Sequence, residues 1–341
     1  MSPPVAHPVV LWYAPVANVA GVGRHLLDVA RAGIPGYRVV FAVPEGQLAE
    51  RLRAEGAAVA MGRFSVDDGA RTAVTALRSL VKRLRPSAVH SHLAFADLAA
   101  QLVVVGLSGP DGRRIRLVST EHGIAQDPTL YQAHKAVAGL KLQVHALRLR
   151  RTDRVVAVSE STREQVLAKW GNGASVTVIR NGVDRRADAT RPHPGLRVLS
   201  LARLSHEKRI DALIRAFARV RAEHPSATLT IAGEGPLRVA LEEQVRAQGL
   251  DAAVEFPGFV ESDAALREHD VVAQLSVWEN LSYTLLDAVA YGLGVVATPV
   301  GGNPEIVPER CLVAADDADA IARAIVEQLS LIHISEPTRP R

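Results

Sequence analysis

The sequence predicts an α/β protein made of two doubly wound domains, on three observations. Short β-branched runs alternate with longer amphipathic ones, the pattern of parallel strands joined by crossover helices. The alternation is interrupted once, by the polar, proline-containing stretch Arg185–Gly195, and then restarts. At 341 residues, 48% apolar and 22% charged, the chain has enough apolar sequence for two ordinary cores and is too apolar to be disordered. The predicted division is an N-terminal domain over 1–184, a linker over 185–196 and a C-terminal domain over 197–328.

In the first half, strands are read at Val9–Pro15, Tyr37–Pro44, Ala88–His92, Ile115–Gly123, Arg154–Ser159 and Ser175–Val183, each closing on a polar, Gly or Pro turn. The helices between them, Gly23–Gly33, Gly46–Gly56 and Thr72–Pro86, carry apolar residues at helical spacing and stop at glycine or just before proline. A longer helical run, residues 130–151, holds more bases than acids and ends in Arg148, Arg150 and Arg151. It reads either as a helix resting on an anionic membrane surface beside a lipid-linked acceptor, or as one packed on its own domain.

After the linker the pattern resumes with the strand Leu196–Leu204, a helix over Ile210–Glu223, the strand Ala227–Gly235, a helix from Pro236, and strands at Val254–Phe259, Asp270–Ser276 and Gly294–Val300. Within SVWENLSYTLLDAVAYG, Leu275–Trp278 reads as strand, Glu279–Ser282 as loop and Tyr283–Gly292 as helix. The last thirteen residues, LSLIHISEPTRPR (329–341), depart from the alanine-rich helix before them and look like the in-frame translation of a sequencing-library adapter. The natural chain is therefore expected to continue past Gln328.

Composition excludes several classes. One cysteine, Cys311, rules out an intrachain disulfide framework and suits a reducing, cytoplasmic setting. The start, MSPPVAHPVV, lacks a basic region ahead of a long apolar run, so no secretory leader is expected, and no apolar run is long enough to span a bilayer. A net charge of +4 is too modest to argue for a nucleic-acid partner.

The residues that carry chemistry cluster in the second half. Arg203 and Lys208 follow a strand and precede a helix, where two cations beside unpaired N–H groups suit a diphosphate. Glu279 lies in the loop before the next helix, and Asp287 little more than one turn into it; carboxylates accept from adjacent sugar hydroxyls. GGNPE, Gly301–Glu305, is a second strand-to-helix turn, with Pro304 fit for a first helical turn and glycines that permit close backbone approach. GEGP, Gly233–Pro236, repeats that construction around Glu234.

Taken in order, these pieces resemble the family 4 glycosyltransferases (glycosyl transferases group 1) of the GT-B fold, over Val9 to Gln328. The resemblance implies two Rossmann-like domains facing across a cleft, and a retaining, metal-independent transfer of a hexose-type sugar from a nucleotide-diphosphate sugar to a glycan, lipid-linked or small-molecule acceptor, with no cofactor. It implies that Arg203 and Lys208 bind the diphosphate, Glu279 the donor sugar and Asp287 the ribose, with Gly301, Gly302 and Asn303 beside them. Asp287 stands where the family usually has Glu, and Asn280, Leu281 and Ser282 where it usually has Gly-Phe-Gly, so donor identity is the least transferable inference. A sugar-nucleotide epimerase and a non-catalytic nucleotide-sugar-binding protein are the other readings.

The first half carries softer signals. Gly21 and Gly23 follow the first strand and open a helix, like family loops that border the acceptor and phosphate sites; Leu26 stands where a nicotinamide fingerprint needs a third glycine. His90 and His92 share one strand face, but no third ligand follows at metal-site spacing, so no metal is expected. His122 matches the family's strand-end histidine facing the donor sugar. Ser159 reads as a helix N-cap or a ligand contact.

Overall fold

The structure, a computed structural model, describes residues 7–123, 144–171, 175–184 and 196–334. The chain divides into two compact units, Met1–Arg180 and Asn181–Arg341. Most of the expected linker lies outside the described residues.

The first unit holds β1 (Val9–Tyr13), α1 (Gly21–Ala32), β2 (Arg38–Val43), α2 (Gln47–Ala54), β3 (Ala58–Met61), α3 (Ala70–Leu84), β4 (Ala88–His92), α4 (Ala94–Val103), β5 (Arg116–Glu121), a helical segment over 144–150 (α5), β6 (Arg154–Ala157), α6 (Glu160–Trp170) and β7 (Val176–Val178). Its seven strands form one parallel sheet in the order β3-β2-β1-β4-β5-β6-β7. The two-residue period of a strand sorts the core: Val10 and Trp12 face α1 and α2 with Phe41, Leu26 and Leu48, while Leu11 and Tyr13 face α3 and α4 with Leu77 and Ala99. Ser159 caps α6, accepting from the Thr162 N–H at 3.0 Å. The sequence reading did not foresee β3 and α4. α4 starts one residue after β4, across Leu93 at φ 79°, where no Gly, Pro or Asn marks the turn.

The face of β4 and β5 toward α4 buries an ion cluster. Arg148 of α5, fully enclosed, pairs with Asp97 of α4 and, at 2.5 Å, with Glu121. Asp97 also accepts from Ser91 Oγ at 2.5 Å and Ser119 Oγ at 2.8 Å. Of the three arginines that end the run, Arg148 thus belongs to the alternative in which the helix packs on its own domain: two buried carboxylates require a cation, and Arg148 supplies it. Arg150 and Arg151 are exposed, and residues 124–143 of the expected membrane-contact helix lie outside the described residues.

The second unit holds β8 (Arg197–Leu201), α7 (Ile210–Glu223), β9 (Thr228–Ala232), α8 (Arg238–Ala247), β10 (Val254–Gly258), α9 (Ser262–Glu268), β11 (Val271–Gln274), α10 (Tyr283–Ala290), β12 (Gly294–Ala297) and α11 (Ala318–Ile334). Five parallel strands run in the order β10-β9-β8-β11-β12. Phe217, Ile231, Val271 and Ile325 fill one side of the sheet, and Leu199, Val272, Leu285 and Val295 the other. Leu275–Trp278 is not strand: the Val277 N–H donates to the Glu207 carbonyl at 2.8 Å, which turns the chain out of the sheet. The backbone of α11 runs past Gln328 to Ile334, so the helix includes part of the segment read as foreign.

Among the described residues no helix is long and apolar enough to cross a membrane. In both sheets the strand order reverses direction beside the first strand, between β1 and β4 and between β8 and β11. Ligands of doubly wound folds bind outside the carboxyl ends of the strands at that switch point.

Candidate functional site

In the second unit three loops leave the carboxyl ends of β8, β11 and β12 and lock together. The first carries exposed Arg203, then a 3-10 turn His206–Lys208 that brings Lys208 inward. The second runs from Ser276 to Ser282, and the third holds Gly301 and the 3-10 turn Asn303–Glu305. Lys208 Nζ forms an ion pair with Glu279, whose Oε1 also accepts from Ser276 Oγ at 2.7 Å. Thr298 Oγ1 donates to the Ser276 carbonyl at 2.6 Å, and Asn303 Nδ2 to the Thr298 carbonyl at 3.0 Å.

Gly301 explains how close the loops come. Its φ is 55°, and a Cβ there would lie 1.8 Å from the Glu279 carbonyl oxygen, so the position accepts glycine alone. The next amide, of Gly302, donates to the Asn280 carbonyl. This alters the expectation for the GGNPE turn: the amides of Asn303 and Glu305 are also spent, on Val300 at 3.1 Å and Gly302 at 3.0 Å. The close approach is to a neighbouring loop, and the positive charge at this end of the sheet lies on the side chains of Arg203 and Lys208. That charge is felt locally. Burial pushes the Glu207 carboxyl up, but a 2.6 Å bond from Ser205 Oγ and the charges of Lys208 and Arg203 outweigh it and hold the group below the usual carboxylate range.

The remaining residues read in this unit divide by role. Asp287 is buried on α10, one turn behind the loop. Ser282 caps α10, accepting from the Leu285 N–H at 3.3 Å and donating to Gln274 at 2.8 Å, so its hydroxyl is engaged internally. Leu281 is core. The side-chain oxygens of Asn280 and Asn303 are buried and have no hydrogen-bond partner within the described protein, which aims two acceptors into the loop cluster. Glu234 points outward and pairs with Arg238 at 2.9 Å. The glycines around it serve loop packing: a Cβ on Gly235 would lie 2.3 Å from the Leu204 carbonyl oxygen, and the Leu204 N–H donates to Glu234 O at 3.0 Å.

In the first unit, Gly21 is exposed with open space where a Cβ would stand, whereas Gly23 packs so that a Cβ would come within 2.5 Å of the Asn18 carbonyl oxygen. A hollow of about 720 Å³ opens over the loops after β1, β2 and β3, lined by Asn18, Gly46, Arg63 and Asp68 among others. Beside β1 the structure gathers four imidazoles. His92 Nδ1 and His122 Nε2 lie 2.9 Å apart, His90 Nε2 bonds Thr120 Oγ1 at 2.7 Å, and His25 of α1 closes the group. Burial pushes His25 down to about 4 and, with neighbouring histidine charge, His90 and His122 to about 3. All are neutral imidazoles at physiological pH. The sequence reading had no third ligand beside His90 and His92. The structure groups His92 instead with His25 and His122, their ligating atoms all within 4.8 Å of one another, and leaves His90 outside the set.

Residues 195–330 match the family described as Glycosyl transferases group 1, and residues 19–187 match Glycosyltransferase Family 4. Glycogen synthase of Mycobacterium tuberculosis is 30% identical over 87% of this chain and 79% of its own length. A phosphatidylinositol N-acetylglucosaminyltransferase subunit from Arabidopsis thaliana is 26% identical over 76% of this chain, and this chain spans 58% of that relative. Among solved structures, Anabaena HepE in complex with UDP and glucose superposes with a TM-score of 0.79 at 19% identity, covering 96% of this chain and 92% of that one. Sucrose-phosphate synthase from Thermosynechococcus elongatus gives 0.72 at 18% identity, covering 96% and 90%. The two parallel-sheet units are thus those of the GT-B fold.

Proposed function

We propose that this chain, which belongs to glycosyltransferase family 4, is a retaining glycosyltransferase that moves a hexose-type sugar from a nucleotide-diphosphate sugar to an acceptor hydroxyl. The observation that carries the proposal is the joining of the three loops in the second unit, which presents two cations and a carboxylate together at the carboxyl ends of β8, β11 and β12. Losing a nucleoside diphosphate from the anomeric carbon leaves negative charge on the departing oxygens. Lys208 is held by Glu279 before that charge develops, which is where electrostatic stabilisation is worth most, and exposed Arg203 adds a second cation beside it. Glu279, held by Lys208 and Ser276, accepts from the sugar hydroxyls, and Asp287 from the ribose.

In this scheme the bond from the anomeric carbon to the phosphate oxygen breaks and the bond to the acceptor oxygen forms on the same face. The acceptor proton passes to the departing phosphate. HepE is described with UDP and with UDP-glucose, and a uridine donor is the first to test here. The relatives are named for a glycan, glycogen, and for a lipid, phosphatidylinositol, and the acceptor belongs to one of those classes. For a lipid-linked acceptor, Arg150 and Arg151 supply the basic contact with the inner membrane face.

The test is calorimetric titration with UDP, GDP and ADP and their sugar conjugates. Arg203→Ala should weaken one nucleotide and its conjugate alike, by about 10- to 100-fold for a lost charge-assisted contact, while Glu279→Ala should weaken the conjugate alone. Equal weakening of nucleotide and conjugate by Glu279→Ala would remove the sugar contact from the scheme. Product from donor with no acceptor present would replace transfer by epimerisation.

A further inference from the structure

We propose that His25, His92 and His122, all in the first unit, form a binding site for one divalent first-row transition metal ion of the zinc type. The three side chains come from α1, the end of β4 and the residue after β5, and their ligating atoms all lie within 4.8 Å of one another. Zinc–imidazole bonds of about 2.0–2.1 Å in a tetrahedral site set nitrogen atoms roughly 3.3 Å apart. The closest pair here, His92 Nδ1 and His122 Nε2, is at 2.9 Å, so side-chain adjustments without a new backbone path complete the set.

The surroundings favour coordination. His92 is fully buried, and the nitrogen it turns toward His122 is Nδ1, the atom that a metal between the two rings would take. His90 stacks on His92 at 4.7 Å, and Trp12 packs 4.8 Å from His92 and 5.7 Å from His25, which fixes the ring planes. No carboxylate belongs to the set, and the neighbouring Glu121 is committed to Arg148. An all-imidazole set suits zinc, copper, nickel or cobalt and not magnesium or calcium. His25 and His122 are half-buried, so solvent reaches the site, and three protein ligands leave a fourth position for a water or hydroxyl oxygen.

The experiment uses the full chain without a histidine tag, stripped with EDTA and dialysed. Titration with Co²⁺ should give visible d–d absorption saturating at one ion per chain, displaced by Zn²⁺. His25→Gln and His122→Gln, each with an unchanged circular-dichroism spectrum, should lose at least about tenfold in affinity, as loss of one ligand of three demands. His224→Gln, a histidine at the end of α7 in the other unit, should bind as the parent does. Binding is read on the protein alone, so the result is independent of whether His122 also faces a sugar. Absence of saturable Co²⁺ or Zn²⁺ uptake in the parent would overturn the proposal, as would uptake that both variants leave unchanged.

Discussion

Replacing Gly301 by alanine tests whether the turn after β12 is the scaffold that positions Glu279. The new Cβ would start 1.8 Å from the Glu279 carbonyl oxygen, and Cβ contacts under 3.0 Å are essentially never seen, so the loops must part by about 1.2 Å. At φ 55° an alanine adds about 1 kcal/mol of left-handed backbone cost. Parting the loops also breaks the bond from the Gly302 amide to Asn280, worth roughly 0.5–1.5 kcal/mol. With a contribution from the residual clash, the expected loss is about 2–3 kcal/mol, or about 4–12 °C in Tm for a unit of this size. A displacement near 1 Å at a positioning loop costs up to about 100-fold in turnover. Thermal unfolding reads the first effect and the transfer rate from the sugar conjugate the second, with titration of the conjugate beside them. Gly21→Ala is the control: nothing lies within 4 Å of the added carbon, and its stability change should stay within about 1 kcal/mol, in the stabilising direction if any. Should Gly301→Ala melt within about 1 °C of the parent and bind the conjugate equally, the close approach and the role drawn from it are both wrong.

The contrast between Gly301 and Gly21 also marks what a sequence makes legible. Strand-to-helix turns at Arg203, Glu279 and Gly301 were readable because a parallel fold forces them, through the alternation of short β-branched runs with amphipathic ones. What each turn does with its amides was not readable: whether the Gly302 N–H meets a ligand or Asn280 depends on a neighbouring loop. Leu275–Trp278 failed for a related reason, since an apolar run looks like strand until one amide, that of Val277, finds its acceptor outside the sheet. His25 carried no local signal at all. It lies one face of a helix away from residues on two distant strands, and ligand-spacing rules test only neighbours along the chain. Arg148 did leave a clue, in its future partner: Asp97 is an acid inside the apolar helix AFADLAAQLV, and a buried acid requires a cation from somewhere.

Two further predictions concern that buried cluster. Burial, opposed by Arg148 and reinforced by the charge of Glu121, raises Asp97 to about 7. The folded state therefore binds more protons than the unfolded one between about pH 4 and 7, and this cluster loses stability as pH rises through that window, by no more than about 4 kcal/mol. In thermal melts Asp97→Asn should gain on the parent as pH rises from about 4.5 to 7.5; parallel curves would refute the shift. Arg148→Met removes the cation and leaves two buried carboxylates unpaired, which should cost about 3–5 kcal/mol, whereas Arg150→Met and Arg151→Met, on exposed side chains, should each stay within about 0.5 kcal/mol. Adding Asp97→Asn to Arg148→Met should recover part of the loss, since one of the stranded charges is then gone. A basic residue displayed to a membrane would behave in the opposite way: its loss would leave the melting curve alone and weaken binding to anionic vesicles.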